Sequence, residues 1–140
     1  MTQFKKISYS KLKSRQQENY NFQKISALLA DYGFNTLRLS DDWQGADFIA
    51  THIDGKTFLR VQLKGRFTLD KKYQGKDIWI CFCYRGKTWY LYPHDEVAMR
   101  IAKHSNYQNT KSWIKGGGTH TANPPKRDLD VLNDYFKLEV

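Results

Sequence analysis

Long apolar runs are missing from this sequence: nothing in it approaches the roughly 20 consecutive apolar residues that cross a bilayer as a helix. The start, Met1-Thr2-Gln3-Phe4-Lys5-Lys6, also lacks the apolar segment of a secretory signal. The cytoplasm is therefore the expected compartment. Cysteine is scarce too. Cys81 and Cys83 are the only two, spaced by two within Asp77-Ile78-Trp79-Ile80-Cys81-Phe82-Cys83-Tyr84. On a strand that spacing puts both on one face, where such neighbours rarely form a disulfide. No further ligands stand at zinc spacing, and His52, His94, His104 and His120 show none among themselves. The thiols read as small apolar filler and the histidines as surface or turn residues. Acid is the third shortage: 14 Asp and Glu face 23 Lys and Arg, a formal charge of +9. That excess favours a polyanion as partner, nucleic acid first, with a merely solvated basic surface as the ordinary alternative.

What is present suits one globular domain. At 140 residues, 40% apolar and 15% aromatic, the chain escapes the composition of disorder and permits a proper core. Residues 1–14, with Lys5, Lys6, Lys11 and Lys13, read as a basic N-terminal arm, leaving 15–140 as the domain. A helix is expected from about Ser14 to Tyr32, ended by Gly33, with Phe22, Ile25, Leu28, Leu29 and Tyr32 in one apolar stripe. Glu18, four residues before Phe22, extends that stripe with a charge; as an early helical acid it equally complements the helix dipole.

Strands are expected over Asn35–Leu39, Ala46–Ile53 and Thr57–Lys64, with Asp41-Asp42-Trp43-Gln44-Gly45 as a polar turn and Asp54-Gly55 as a hairpin signal. Residues 66–76 read as a polar loop. Asp77–Tyr84 and Lys87–Tyr92 form a second hairpin across Arg85-Gly86, and Pro93 precedes a helix over 95–103. Residues 104–125 read as a long loop, where Tyr107 and Trp113 would stack on bases or, more ordinarily, fill core. A short helix over 128–136 closes the chain. The pattern is that of an α/β protein.

Chemistry concentrates in Gly45-Ala46-Asp47-Phe48-Ile49 and Arg60-Val61-Gln62-Leu63-Lys64. Polar side chains inside otherwise apolar strands are costly unless paired or used. Antiparallel pairing through the Asp54-Gly55 turn brings Asp47 beside Gln62 and Lys64. A hard cation such as Mg²⁺ or Mn²⁺ takes oxygen ligands and water. Asp47 offers a carboxylate, Gln62 an amide carbonyl, the Leu63 backbone another oxygen, and Glu18 a further acid through a water. Lys64 would orient or deprotonate an attacking water and stabilise charge on a phosphate. Each residue also has a plainer use: Asp47 as a turn cap, Gln62 as a partner of Arg60, Lys64 as a solvated strand end. Arg60, Arg66, Lys71, Lys72, Lys76 and Lys115 are the candidate phosphate contacts.

A helix acid, a hairpin with Asp47, and then Gln62-Leu63-Lys64 resembles the core of the PD-(D/E)XK nuclease superfamily, over roughly Glu18 to Pro93. The resemblance is strongest to branches whose last motif reads Gln-X-Lys, among Holliday-junction resolvases and intron-encoded homing endonucleases. It implies a restriction-endonuclease-like fold, a central mixed sheet flanked by helices, and metal-dependent hydrolysis of DNA phosphodiesters. It implies Asp47 and Gln62 as metal ligands, Lys64 as the catalytic lysine and Glu18 as the helix acid. Ala46 stands where the family name has proline, and Gln62 replaces an acid, removing one negative charge. A catalytically silent nucleic-acid-binding module of the same fold is the alternative. Paired cuts on opposite strands would call for a homo-oligomer.

Overall fold

In a computed structural model, which describes residues 3–139, the chain builds a six-stranded mixed sheet covered by helices on both faces. Its helices are α1 (Ser14–Ala30), α2 (His94–Ala102), α3 (Lys111–Gly116) and α4 (Lys126–Leu132). Its strands are β1 (Phe34–Trp43), β2 (Ala46–His52), β3 (Phe58–Leu63), β4 (Phe67–Asp70), β5 (Ile78–Tyr84), β6 (Thr88–Pro93), β7 (Gly118–Thr121) and β8 (Phe136–Glu139). The main sheet runs β1-β2-β3-β5-β6-β8, antiparallel except for the parallel pair β3–β5, and β4 pairs β7 in a separate ribbon. The expected mixed sheet flanked by helices is thus present. Met1 and Thr2 of the expected arm, and Val140 at the end of the expected domain, lie outside the described residues.

Strand alternation sorts the core into two layers. Ile25 and Leu29 of α1 pack with Phe48, Ala50, Leu59, Val61, Cys81, Trp89 and Leu91 on one face. Ile49, Ile80, Phe82, Tyr90 and Tyr92 meet α2, α4 and the β4–β7 ribbon on the other. The β2–β3 hairpin is closed by Asp54, whose carboxylate accepts both the Lys56 and Thr57 amides at 2.8 Å. The Thr57 hydroxyl, which donates to the same carboxylate at 2.6 Å, and then those two amides hold the carboxyl well below the usual range. Phe48 lies opposite Val61 in that register, so Asp47 and Gln62, one step further along, come side by side.

Several sequence expectations are corrected. β1 runs on through Asp41 and Asp42, with a register break between Arg38 and Trp43, and only Gln44-Gly45 remains as the turn. Both turn residues have positive φ, 55° and 89°, and a Cβ on Gly45 would meet the Tyr73 ring at 3.2 Å. Residues 66–76 and 104–125 are not loops. Phe67, Leu69, Tyr73, Tyr107 and Trp113 are buried, because β4 and β7 pair across a long separation that local pattern cannot register. Tyr107 and Trp113 pack edge-to-face at 5.0 Å, so they fill core. The last helix ends at Leu132, and Phe136–Glu139 adds the edge strand β8. The α1 stripe stops at Leu29, since Tyr32 is 54% exposed past the helix end.

His94, expected at the surface or in a turn, is the exception among the histidines. It is fully buried, accepting the Asp70 amide on Nε2 at 2.9 Å, with Nδ1 2.9 Å from Asp95. Cys81 and Cys83 are free thiols; burial pushes both upward in pKa, as expected of filler.

Candidate active site

Asp47 is the second residue of β2, and alternation turns it away from the Phe48 layer. Gln62 and Lys64 alternate in the same way with Val61 and Leu63 at the end of β3. The Lys64 amide donates to the Cys81 carbonyl at 2.8 Å, so the lysine backbone is pinned where β3 leaves β5. All three side chains open into one cleft of about 740 Å³. Its other walls are the first turns of α1, with Arg15 and Glu18, and the far end of β1, with Arg38, Asp41 and Asp42.

The electrostatics follow from burial. Asp47 Oδ2 accepts the Leu63 amide at 2.8 Å. Burial nonetheless raises its carboxyl pKa above the usual value, against the lowering by that amide and by Lys64; Asp42 and Glu18 add a further upward push. Burial likewise lowers the Lys64 amine, with Lys72 pushing the same way and Asp47, Asp70 and Asp42 opposing. Each partner favours the other's charge, yet desolvation outweighs the attraction in both, and the two close no direct ion pair among the described residues. Burial therefore draws both carboxylate and amine toward neutrality, which makes the Lys64 amine easier to deprotonate than an exposed one. The Lys64 Nζ lies 5.3 Å from the centre of the Tyr73 ring, and Lys72 approaches the same ring at 5.2 Å.

Asp47, the Gln62 amide and the Leu63 carbonyl are oxygen donors of the right kind for a hard divalent cation. The Gln62 Nε2 turns to the Leu63 carbonyl at 3.4 Å, a weak bond that a cation could displace. Among the described residues no group of three or more His, Cys, Asp or Glu side chains is arranged to hold a metal. A cation here would thus rest on one carboxylate, neutral oxygens and water, with Glu18 and Asp42 supplying charge from the rim. The set fits Mg²⁺ or Mn²⁺ and does not fit zinc.

Glu18 is exposed and does not belong to the buried stripe of α1. It stands instead on the early part of α1 that walls the cleft, close enough to Asp47 to push its carboxyl pKa upward. Of the expected phosphate contacts, Lys72 stands beside Lys64, Lys71 lies over Trp113 at 5.3 Å, and Arg66 flanks His120. Arg60 is half-buried with its guanidinium 5.1 Å from the Trp43 ring and a long bond to the Lys76 carbonyl. Lys115 sits on the last turn of α3 and lines no part of the cleft. Asp42 is the functional candidate that sequence reasoning left in a turn. Its signal is present, an acid pair one residue ahead of a two-residue turn, but the break in β1 register near that end of the strand is visible only in the pairing.

No protein-family model matches the sequence, and no curated protein does. Among solved structures, the chain is similar to Hjc, a Holliday junction resolvase from the archaeal hyperthermophile Archaeoglobus fulgidus. Identity is 15%, coverage is 54% of this chain and 76% of that one, and the TM-score is 0.43. At that level of likeness neither residues nor activity transfer.

Proposed function

We propose that this chain is a metal-dependent endonuclease that hydrolyses DNA phosphodiester bonds, built as a single restriction-endonuclease-like domain behind a basic N-terminal arm. The carrying observation is the convergence of Asp47, Gln62 and Lys64 in one cleft, with the carboxylate and the amine shifted toward each other in pKa by burial. Asp47, the Gln62 carbonyl and the Leu63 carbonyl would hold Mg²⁺ or Mn²⁺, with Glu18 acting through water. Such an ion supplies Lewis acidity at the phosphoryl oxygen and a more acidic water. Lys64 takes the proton from the attacking water or, when protonated, stabilises the charge that develops on the phosphate. Lys72, Lys71 and Arg66 bind the flanking phosphates and set the register of the backbone without reading bases.

The test is cleavage of plasmid, branched and single-stranded DNA with Mg²⁺ or Mn²⁺, comparing the wild type with Lys64→Ala. Metal-dependent cleavage that falls at least about 100-fold in the variant supports the reading. A wild type inert on every substrate overturns it. The second reading, a silent nucleic-acid-binding module, is favoured by one observation: the residue across the hairpin from Asp47 is Gln62, an amide and not a second carboxylate. Calorimetry separates the two, since a silent module binds DNA but shows no Mn²⁺ binding that Asp47→Ala abolishes.

A further inference from the structure

A second cavity, of about 360 Å³, adjoins the cleft and shares Asn21, Lys64 and Gly65 with it. Its character is different. The cleft carries Glu18, Asp41, Asp42 and Asp47, whereas among the described residues no acid lines the second cavity; Lys24 and Lys64 line it, the Lys64 Nζ being turned toward Tyr73. Its walls are aromatic: Tyr9, Tyr20 and the buried Trp89, with Cys83 between.

The aromatic wall is assembled by the segment ahead of α1. Tyr9 folds back so that its ring lies 5.3 Å from that of Tyr20, and its hydroxyl accepts from the Asn21 amide at 2.9 Å. Gln17 donates to the Tyr9 carbonyl at 3.3 Å. Lys24 stands 5.2 Å from the Tyr20 ring centre. Tyr9 and Tyr20 remain 42% and 40% exposed, which leaves ring surface open to a ligand. Flat aromatic surface, the flanking Lys24 ammonium and an amide able to pair with a polar edge make the constellation on which single-stranded bases stack. At about 360 Å³ the space lies near the lower limit of small-molecule pockets and has room for one nucleobase.

We infer that this cavity is a subsite for one unpaired nucleobase next to the phosphate attacked in the cleft, so that the favoured substrate is DNA with a single-stranded nucleotide at the cut. The inference rests on the nuclease reading for the position of that phosphate. In an intact duplex every base is stacked and paired, and filling the cavity requires extruding one against its stacking and pairing. A single strand, a flap or a branch carries no such cost. Lys64 and Gly65, common to both spaces, join the reacting phosphate to the base beside it.

The experiment measures metal-free binding by the full chain of a single-stranded oligonucleotide and of the duplex of the same sequence. Tyr20→Ala should weaken the single strand by roughly 5- to 100-fold and leave the duplex unchanged, while Tyr20→Phe retains the wild-type affinity. Single-stranded DNA should also slow alkylation of Cys83, the partly exposed thiol in the cavity, in the wild type and in Tyr20→Phe. An equal effect of Tyr20→Ala on both forms, or none on either, overturns the subsite. Cleavage of duplex by the wild type in that same event leaves the nuclease reading standing. Conversely, Tyr20-dependent binding of single strands without any cleavage supports the cavity as a base site and overturns the nuclease.

Discussion

Replacing Asp47 by asparagine and by alanine separates what its shape contributes from what its charge does. Oδ2 accepts the Leu63 amide at 2.8 Å, and an asparagine oxygen can accept the same bond. Alanine cannot, and an amide left unpaired in a partly buried position costs about 1–3 kcal/mol. At an unfolding entropy of about 2.1 cal/mol/K per residue, each kcal/mol is worth about 3 °C in a chain of this length. Asp47→Ala should therefore melt about 3–10 °C below the wild type. Asparagine keeps the bond and removes a charge that burial disfavours. The sign follows from the raised carboxyl: the folded protein holds this proton more tightly than the unfolded chain, so the charged residue costs stability as pH rises from 3.8 through the higher folded value. At pH 7 Asp47→Asn should melt at or above the wild type, and the gap between them should close in acid. Cleavage and Mn²⁺ binding should nevertheless fall at least about 100-fold. Circular-dichroism melts at pH 4 to 7, run beside the cleavage assay, read both. An asparagine variant as unstable as alanine, or one that still cleaves, refutes the assignment of Asp47 as a charge kept for function.

Gln62→Glu would place a second carboxylate beside Asp47; calorimetry should show Mn²⁺ affinity rising about tenfold, with the metal-free melt lowered by the added repulsion. His94→Ala leaves the Asp70 amide unpaired and opens a cavity under the β4–β7 ribbon, so chemical denaturation should show a loss of at least about 2 kcal/mol. Lys71→Ala together with Lys72→Ala should weaken every DNA sequence alike and reduce the salt slope of log Kd by about 2, measured by titration at several ionic strengths.

The β2–β3 hairpin was legible in the chain because everything that specifies it is local. Asp54-Gly55 dictates the turn, the turn dictates the register, and the register brings Asp47 to Gln62. The first helix, the second hairpin and the filler role of the thiols were legible for the same reason. The segments 66–76 and 104–125 were not. β4 is Phe-Thr-Leu-Asp and β7 is Gly-Thr-His-Thr, too short and too polar to announce strands; each becomes one by pairing with the other. A Cβ on Gly118 would meet the Asp70 carboxylate at 2.8 Å, a constraint that exists only once the two strands are side by side.

Residue order alone thus settles that a carboxylate, an amide and an amine share one end of a hairpin in a basic chain, since short-range turn chemistry is written in neighbouring residues. Where Glu18 and Asp42 stand relative to them, and how burial moves Asp47 and Lys64 toward neutrality, depends on which elements cover which face of the sheet. The union of a Tyr9–Tyr20 wall with Lys64 depends on the same packing. Those relations join residues far apart in the chain, and desolvation is a property of the assembled surroundings.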